Sequence, residues 1–178
     1  EPNKTNLEFL HKNLSSEELY RSGKLEIINK AISDKEGKAT FYSTDYSHYV
    51  GNILGHDTNM EPFEGKYRGH DCNKYEVDCI TLDSFFNNKK IDFIKVDIEG
   101  AEWKMFHGAL NLLKNEDIIW QVEFHNDQDW DPDFIKNLGF KIYDLELNNL
   151  GECKDRPYQA ILSKKDLSAY KSQLNNEI

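Results

Sequence analysis

Ile91-Asp92-Phe93-Ile94-Lys95-Val96-Asp97-Ile98-Glu99-Gly100-Ala101-Glu102 is the stretch whose reading decides the fold. Its first half, Ile91 to Val96, is short and mostly apolar, which predicts a strand. Its second half sets Asp97, Glu99 and Glu102 around Gly100, where Ala101 to Leu113 takes up a helical period. Trp103, Phe106, Leu110 and Leu113 form one stripe of that helix, with Met105, Ala109 and Leu112 beside it. So wide an apolar face belongs to a helix packed on a sheet. Lys95 is the discordant residue. Alternation puts it on one face with Phe93 and Asp97, and a lysine within a central strand is costly unless paired. Acidic residues at a helix start also serve as caps, so the carboxylates have a structural reading beside the chemical one.

Downstream, Ile118 to Phe124 predicts the next strand. Gln121, Glu123 and His125 share one face, and Trp120, Val122 and Phe124 the other. Polar residues on a buried strand need partners. Lys95 and Glu123, on neighbouring strands, are therefore expected to form a buried ion pair that holds the strand ends in register. Pro132 opens a helix that ends at Gly139. Phe140 to Leu145 and Tyr158 to Leu162 are the last two strands, joined by a polar turn, and the polar residues after Lys164 are expected to fray.

Upstream, Leu7, Leu10 and Leu14 predict a helix over residues 3 to 14, and a short helix follows Ser15-Ser16-Glu17-Glu18 and stops at Gly23. Leu25 to Ile32 predicts a strand, Asp34 to Gly37 a turn, and Ala39 to Tyr42 a strand pairing back. Residues 43 to 74 predict a long loop carrying Tyr46, His48, Tyr49, His56, Phe63, Tyr67 and His70, a composition that favours an ordered, binding role. Tyr75, Val77 and Cys79 alternate as a strand, followed by a short helix with Phe85 and Phe86. Strands alternating with helices and a closing antiparallel hairpin indicate an α/β, doubly wound sheet, in which ligands bind beyond the carboxyl ends of the strands.

Bulk properties narrow the function. The 178 residues suit one domain, and 38% hydrophobic with 30% charged residues is an ordinary globular balance. A net charge of -10 argues against nucleic acid and against anionic membranes as partners. It is compatible with a neutral or cationic small molecule, or with a carbohydrate. Three cysteines, with no Cys-x-x-Cys spacing, favour reduced thiols and a cytoplasmic protein. No apolar run approaches the ~20 residues that span a bilayer. Residue 1 is Glu, and the methionines are Met60 and Met105, so the natural polypeptide is expected to begin earlier.

Lys95-Val96-Asp97-Ile98-Glu99-Gly100-Ala101-Glu102 closely resembles the lysine–aspartate–glutamate–glycine–glutamate motif of FkbM-type methyltransferases. Three further stretches match in order. Glu1-Pro2-Asn3 resembles the end of the family's second strand, Ala31-Ile32-Ser33-Asp34 with Gly37 the end of the third, and Thr81-Leu82-Asp83-Ser84-Phe85 the segment before the fourth. The resemblance covers roughly the first three quarters of the chain. It implies a Rossmann-like class I methyltransferase sheet and an S-adenosylmethionine-dependent O-methyltransferase acting on a hydroxyl of a sugar or another small metabolite. By position, Glu1 would hold the ribose hydroxyls of the cofactor, since a carboxylate accepts two hydrogen bonds from a vicinal diol. Ser33 and Asp34 would lie near the adenine. Asp97 would face the methionine amino group or the acceptor. The family's first strand and glycine-rich loop are absent from these residues, and no Gly-x-Gly occurs in them. An N-terminally incomplete methyltransferase domain over residues 1–164, with a polar tail over 165–178, is the expected organisation.

A hydroxyl acceptor must lose its proton, and His125 is the expected general base, with Asp97 as the alternative. The 43–74 loop would close over the acceptor and exclude water. No metal is part of this expectation. Two alternatives stay open: a divalent site on Asp97, Glu123 and His125, for which the sequence shows no characteristic ligand spacing, and a non-catalytic binding module on a decayed methyltransferase fold.

Overall fold

A computed structural model describes residues 1–44, 51–52, 66–67, 70–87, 89–125 and 130–174. The chain is a mixed α/β protein whose backbone divides into two compact units, Glu1–Thr81 and Leu82–Ile178.

In the first unit, α1 spans Lys4–Leu14 and is capped by Asn3, whose Oδ1 accepts from the amides of Thr5 (2.9 Å) and Asn6 (3.3 Å). Helix α2, Glu18–Arg21, stops before Gly23, whose φ of 71° suits the left-handed turn there. The strands are β1 (Ala31–Ile32), β2 (Gly37–Thr44), β3 (Gly51–Asn52), β4 (Lys66–Tyr67) and β5 (His70–Ile80). Their order is β1-β5-β2-β3, with β4 also on β5. Phe41, Val77 and Cys79 alternate inward, as the period of two requires.

Three expectations change here. The strand foreseen over Leu25 to Ile32 reduces to Ala31–Ile32, because residues 24–30 find no ladder partner among the described residues. The two flanking strands do not form a hairpin: β5 lies between them, parallel to β1 and antiparallel to β2. The 43–74 segment is partly sheet, since β2 runs to Thr44 and β5 begins at His70. Tyr46, His48, Tyr49, His56 and Phe63 lie outside the described residues, as does most of the segment expected to close over the acceptor.

The second unit holds α3 (Leu82–Phe86), β6 (Phe93–Val96), α4 (Glu102–His107), a 3-10 turn (Leu112–Lys114), β7 (Ile119–Glu123), α5 (Pro132–Asn137), β8 (Lys141–Tyr143), β9 (Gln159–Ser163) and α6 (Ser168–Leu174). Its sheet runs β6-β7-β9-β8, with β6 and β7 parallel and the other pairs antiparallel. Trp120, Val122 and Phe124 of the β7 segment are buried against α4, where the Phe106 ring lies 6.1 Å from Trp120 and 6.3 Å from Phe124. Phe134 of α5 closes on Trp103 at 5.6 Å. Each such buried side chain contributes about 1.5–3 kcal/mol, and together they fix the end of β7.

The helix expected over Ala101 to Leu113 stops at His107. The amide of Gly108 closes the last turn on the Lys104 and Met105 carbonyls. Beyond it, the Asp83 carboxylate accepts from the amides of Asn111 (2.9 Å) and Leu112 (3.0 Å), holding the chain in the 3-10 turn. Ala109 and Leu113 remain buried across the break. The closing strands are also interleaved, with β9 between β7 and β8. After Lys164 the chain does not simply fray: Leu167 is buried and α6 follows. Among the described residues Cys79 and Cys153 stand outside any disulfide, and no helix is long and apolar enough to cross a membrane.

Candidate functional site

His125 leaves the carboxyl end of β7, and four carboxylates surround its ring. The Glu102 carboxylate lies 3.1 Å from Nδ1, and Glu123 lies 3.3 Å from Nε2. Asp97 and Glu99 each place an oxygen 3.9 Å from Nε2. The histidine side chain is 15% exposed, so this constellation is reachable but largely shielded. An ionised carboxylate can only accept, so Glu102 fixes the hydrogen on Nδ1 and turns Nε2 toward the other three carboxylates. Glu102 is itself 1% exposed and also accepts from the Gly100 amide at 2.9 Å. It therefore orients the ring from below, out of contact with solvent.

The turn between β6 and α4 sets Asp97, Glu99 and Glu102 in place. Glu99 has φ of 55° and Gly100 φ of 100°. Glycine adopts such a backbone freely, whereas for Glu99 it costs on the order of 1–3 kcal/mol. The strained turn holds the Glu99 carboxylate over the histidine. Burial, followed by the neighbouring charges of Asp97, Glu102 and Glu123, holds the Glu99 carboxyl above the ordinary range even though His125 pulls it down. Glu123 moves the other way. The Tyr158 hydroxyl donates to its Oε1, Gln159 Nε2 donates to its Oε2 at 2.6 Å, and these bonds hold its carboxyl below the ordinary range. The same Tyr158 bond raises the phenol. Two carboxylates on one imidazole thus differ in how readily they take a proton, because burial raises Glu99 while the donors Tyr158 and Gln159 lower Glu123.

Lys95 does not pair with Glu123. It lies opposite Gln121 in the β6–β7 register, is 55% exposed, and meets Asp97 at 3.3 Å. The expected burial fails because β6 is an edge strand, paired only with β7 among the described residues, and its Phe93–Lys95 face is exposed. Half-exposed Lys95 needs no buried partner, and Glu123 finds its partners in Tyr158 and Gln159 instead. The sequence did place Asp97, Glu123 and His125 together. Glu102 appeared only within the motif, because its contact with His125 spans a 23-residue return of the chain. Tyr158 was read only as the first residue of the last strand, which begins one residue later at Gln159, and nothing in the sequence marked it for the site.

In the first unit, Glu1 has a carboxylate held by the Asn3 amide (2.7 Å to Oε1) and by Asn6 Nδ2 (3.4 Å to Oε2). Ser33 is buried, its amide bonded to the Ile80 carbonyl at 3.0 Å and its hydroxyl to Asp34 Oδ1 at 2.9 Å, while Asp34 is exposed at the turn into β2. Ser33 thus positions Asp34, whose carboxylate is open to solvent.

Asp97, Glu99 and His125 each offer a ligand atom within 4.8 Å of the others, the only such group of three or more metal-ligating side chains among the described residues. Ligand atoms at ~2.0–2.6 Å from one cation fall within that separation. In the alternative divalent reading Glu99 thus takes the place given to Glu123, which is not part of that group. Chemically, the constellation can receive a proton at Nε2, attract a cationic group, or coordinate a divalent ion.

Residues 1–150 match the family model described as the methyltransferase FkbM domain. Neither the curated proteins nor the solved structures give a match.

Proposed function

We propose, from the premise that the chain belongs to the FkbM methyltransferase family, that it transfers a methyl group from S-adenosylmethionine to a hydroxyl of a neutral small metabolite or sugar. The observation that carries the reading is His125, oriented by buried Glu102 beyond the carboxyl ends of the parallel pair β6 and β7. That is where open α/β sheets carry their chemistry, and we read β6, β7 and their helices as part of a Rossmann-like class I sheet.

Each unit, taken by itself, offers groups of a kind that suits such a cofactor. In the first unit, the Glu1 carboxylate is pre-oriented by Asn3 and Asn6 and can accept from a ribose diol, and Asp34 can accept from a purine amine. In the second, Asp97 offers a carboxylate to an ammonium group. S-adenosylmethionine, when bound, supplies an already activated methyl group, so the protein's share is positioning and proton removal. Nε2 of His125 takes the hydroxyl proton. The resulting imidazolium donates to Glu102 on one side and faces Glu123, Asp97 and Glu99 on the other, so the new charge forms among compensating carboxylates.

The test uses the full-length chain, with calorimetry for S-adenosylmethionine and labelled methyl transfer to a panel of neutral hydroxyl compounds. His125→Ala should lower turnover roughly 10²–10⁴-fold while leaving cofactor affinity intact. Binding without transfer by the unaltered protein would favour a non-catalytic binding module.

A second reading is favoured by the ligand spacing of Asp97, Glu99 and His125. A divalent cation held there would lower the hydroxyl's proton affinity directly, with Glu102 fixing His125 from behind. Chelator would then abolish transfer, and Mg²⁺ or Mn²⁺ would restore it. Transfer that is indifferent to chelator would leave His125 as the base.

A further inference from the structure

Tyr158 is 61% exposed, yet it is held at three points. Its carbonyl accepts from the Phe124 amide at 2.9 Å, which fastens its backbone to the residue before His125. Its hydroxyl donates to Glu123. Its ring meets His125 edge to face, with centroids 6.1 Å apart and an interplanar angle of 72°. A surface tyrosine without a role keeps its rotamer freedom, and locking one costs entropy that solvent contact does not return. Here the lock leaves an apolar ring face open to solvent beside the group that takes the proton.

We infer that Tyr158 is an acceptor-binding residue: its fixed, exposed ring is the platform on which a neutral ring-borne hydroxyl compound lies, with the hydroxyl turned toward His125. This rests on the reading of His125 as the base of an O-methyl transfer. A ligand meeting a side chain that is already ordered loses less entropy on binding, which is why a pinned aromatic makes a better platform than a free one. Aromatic side chains with a polar tip suit such sites, since the ring takes the apolar face and the tip keeps its hydrogen bond. The charges around it set the class of acceptor. Asp97, Glu99, Glu102 and Glu123 stand together there, Lys95 is paired with Asp97, and the Arg156 guanidinium donates to the Phe124 carbonyl. An acceptor bearing a carboxylate or phosphate would meet a net excess of negative charge, four carboxylates against Lys95 and Arg156, so the site selects against anions.

The test is binding to the full-length chain, followed by saturation-transfer and titration NMR. The probes are methyl β-D-glucopyranoside as a neutral pyranose, 4-hydroxybenzyl alcohol as a neutral phenol, and methyl β-D-glucuronide as the anionic match of the first. At least one neutral ring should bind, and Tyr158→Ala should weaken it about tenfold while Tyr158→Phe, which keeps the ring, stays within about threefold. The glucuronide should bind about tenfold more weakly than the glucoside. S-adenosylmethionine affinity serves as the control that should not move in Tyr158→Ala, and Tyr158→Phe, which loses the same bond to Glu123, controls for the accompanying change in Tm. Which neutral probe binds separates a pyranose from a phenolic acceptor. The inference is overturned if no neutral ring binds, if Tyr158→Ala binds as the unaltered chain does, if Phe and Ala variants lose affinity equally, or if the glucuronide matches the glucoside. Binding that depends on Tyr158 without any methyl transfer would uphold the platform and defeat the O-methyltransferase reading. Transfer with an unchanged acceptor KM in Tyr158→Ala would do the reverse.

Discussion

Glu99 stands in a backbone conformation that side chains avoid, and its carboxyl is held above the ordinary range by burial and by three neighbouring carboxylates. Such strain persists only where the surroundings enforce it, and it gathers at functional sites. The stability consequence has a definite sign. A carboxyl whose folded value lies above its unfolded value near 4.5 favours the folded state while protonated, and that benefit is lost as pH rises through the folded value. Glu99→Gln imitates the protonated form. In chelator, its Tm should exceed that of the unaltered chain at pH 7, and the gap should narrow toward pH 4. A gap that is constant across this range, or reversed, would show that Glu99 is not opposed by its neighbours. Glu123 behaves oppositely. The donors Tyr158 and Gln159 hold its carboxyl low, so its contribution is present above the ordinary range and disappears on acidification. One imidazole is thus flanked by a carboxylate stabilised in its charged form and another that resists it.

At the scale of elements, Asp83 shows what a motif can hide. The sequence quoted it only within a stretch resembling the segment before the family's fourth strand. In the fold its carboxylate accepts the amides of Asn111 and Leu112, and its own amide donates to the Gly108 carbonyl at 3.0 Å. Asp83 thereby ends α4 and delivers the chain to β7. Asp83→Ala should cost about 1–2 kcal/mol, because the two amides lose an acceptor fixed in place. Asp83→Asn, which keeps one acceptor oxygen, should cost less. Equal denaturant midpoints for Ala and the unaltered chain would show that solvent satisfies those amides as well. The same bond explains why periodicity misjudged this helix: Trp103 to Leu113 keeps its apolar spacing through Gly108, but a side chain 28 residues away in the chain decides where the hydrogen bonding changes. Local patterns were legible where the cause was local. Alternation assigned Trp120, Val122 and Phe124 to the core and Gln121, Glu123 and His125 to the other face, and the leucine spacing over residues 3 to 14 and the Gly23 stop placed the first two helices, though Asn3 proves to be a cap and not a helical residue. Order within the sheets was not legible, because β5 enters between β1 and β2, and β9 between β7 and β8, through ladder partners remote in sequence. The edge position of β6 was lost for the same reason, and with it the exposure of Lys95.

Across the whole molecule the excess of acid sets a long-range term that no single contact carries. The chain bears a net charge of -10, and the histidine constellation adds a local excess of carboxylates to it. Self-repulsion of like charge opposes the compact state, and salt relieves it as the screening length falls from ~30 Å at 0.01 M to ~10 Å at 0.1 M. Tm should therefore rise when NaCl is raised over that range, and a fall would mean that attractive pairs outweigh the net repulsion. Divalent salts at matched ionic strength then separate two effects. Screening alone predicts the same Tm as NaCl. A cation held by Asp97, Glu99 and His125 predicts a further rise that grows with the logarithm of its concentration, as for any ligand that binds only the folded state. That increment should vanish in Asp97→Asn and in His125→Ala, whereas the NaCl response should remain, since one charge in ten barely alters the global field. If MnCl₂ and MgCl₂ give no increment over NaCl, the divalent reading falls, and proton transfer to the histidine is left as the chemistry that the four carboxylates serve.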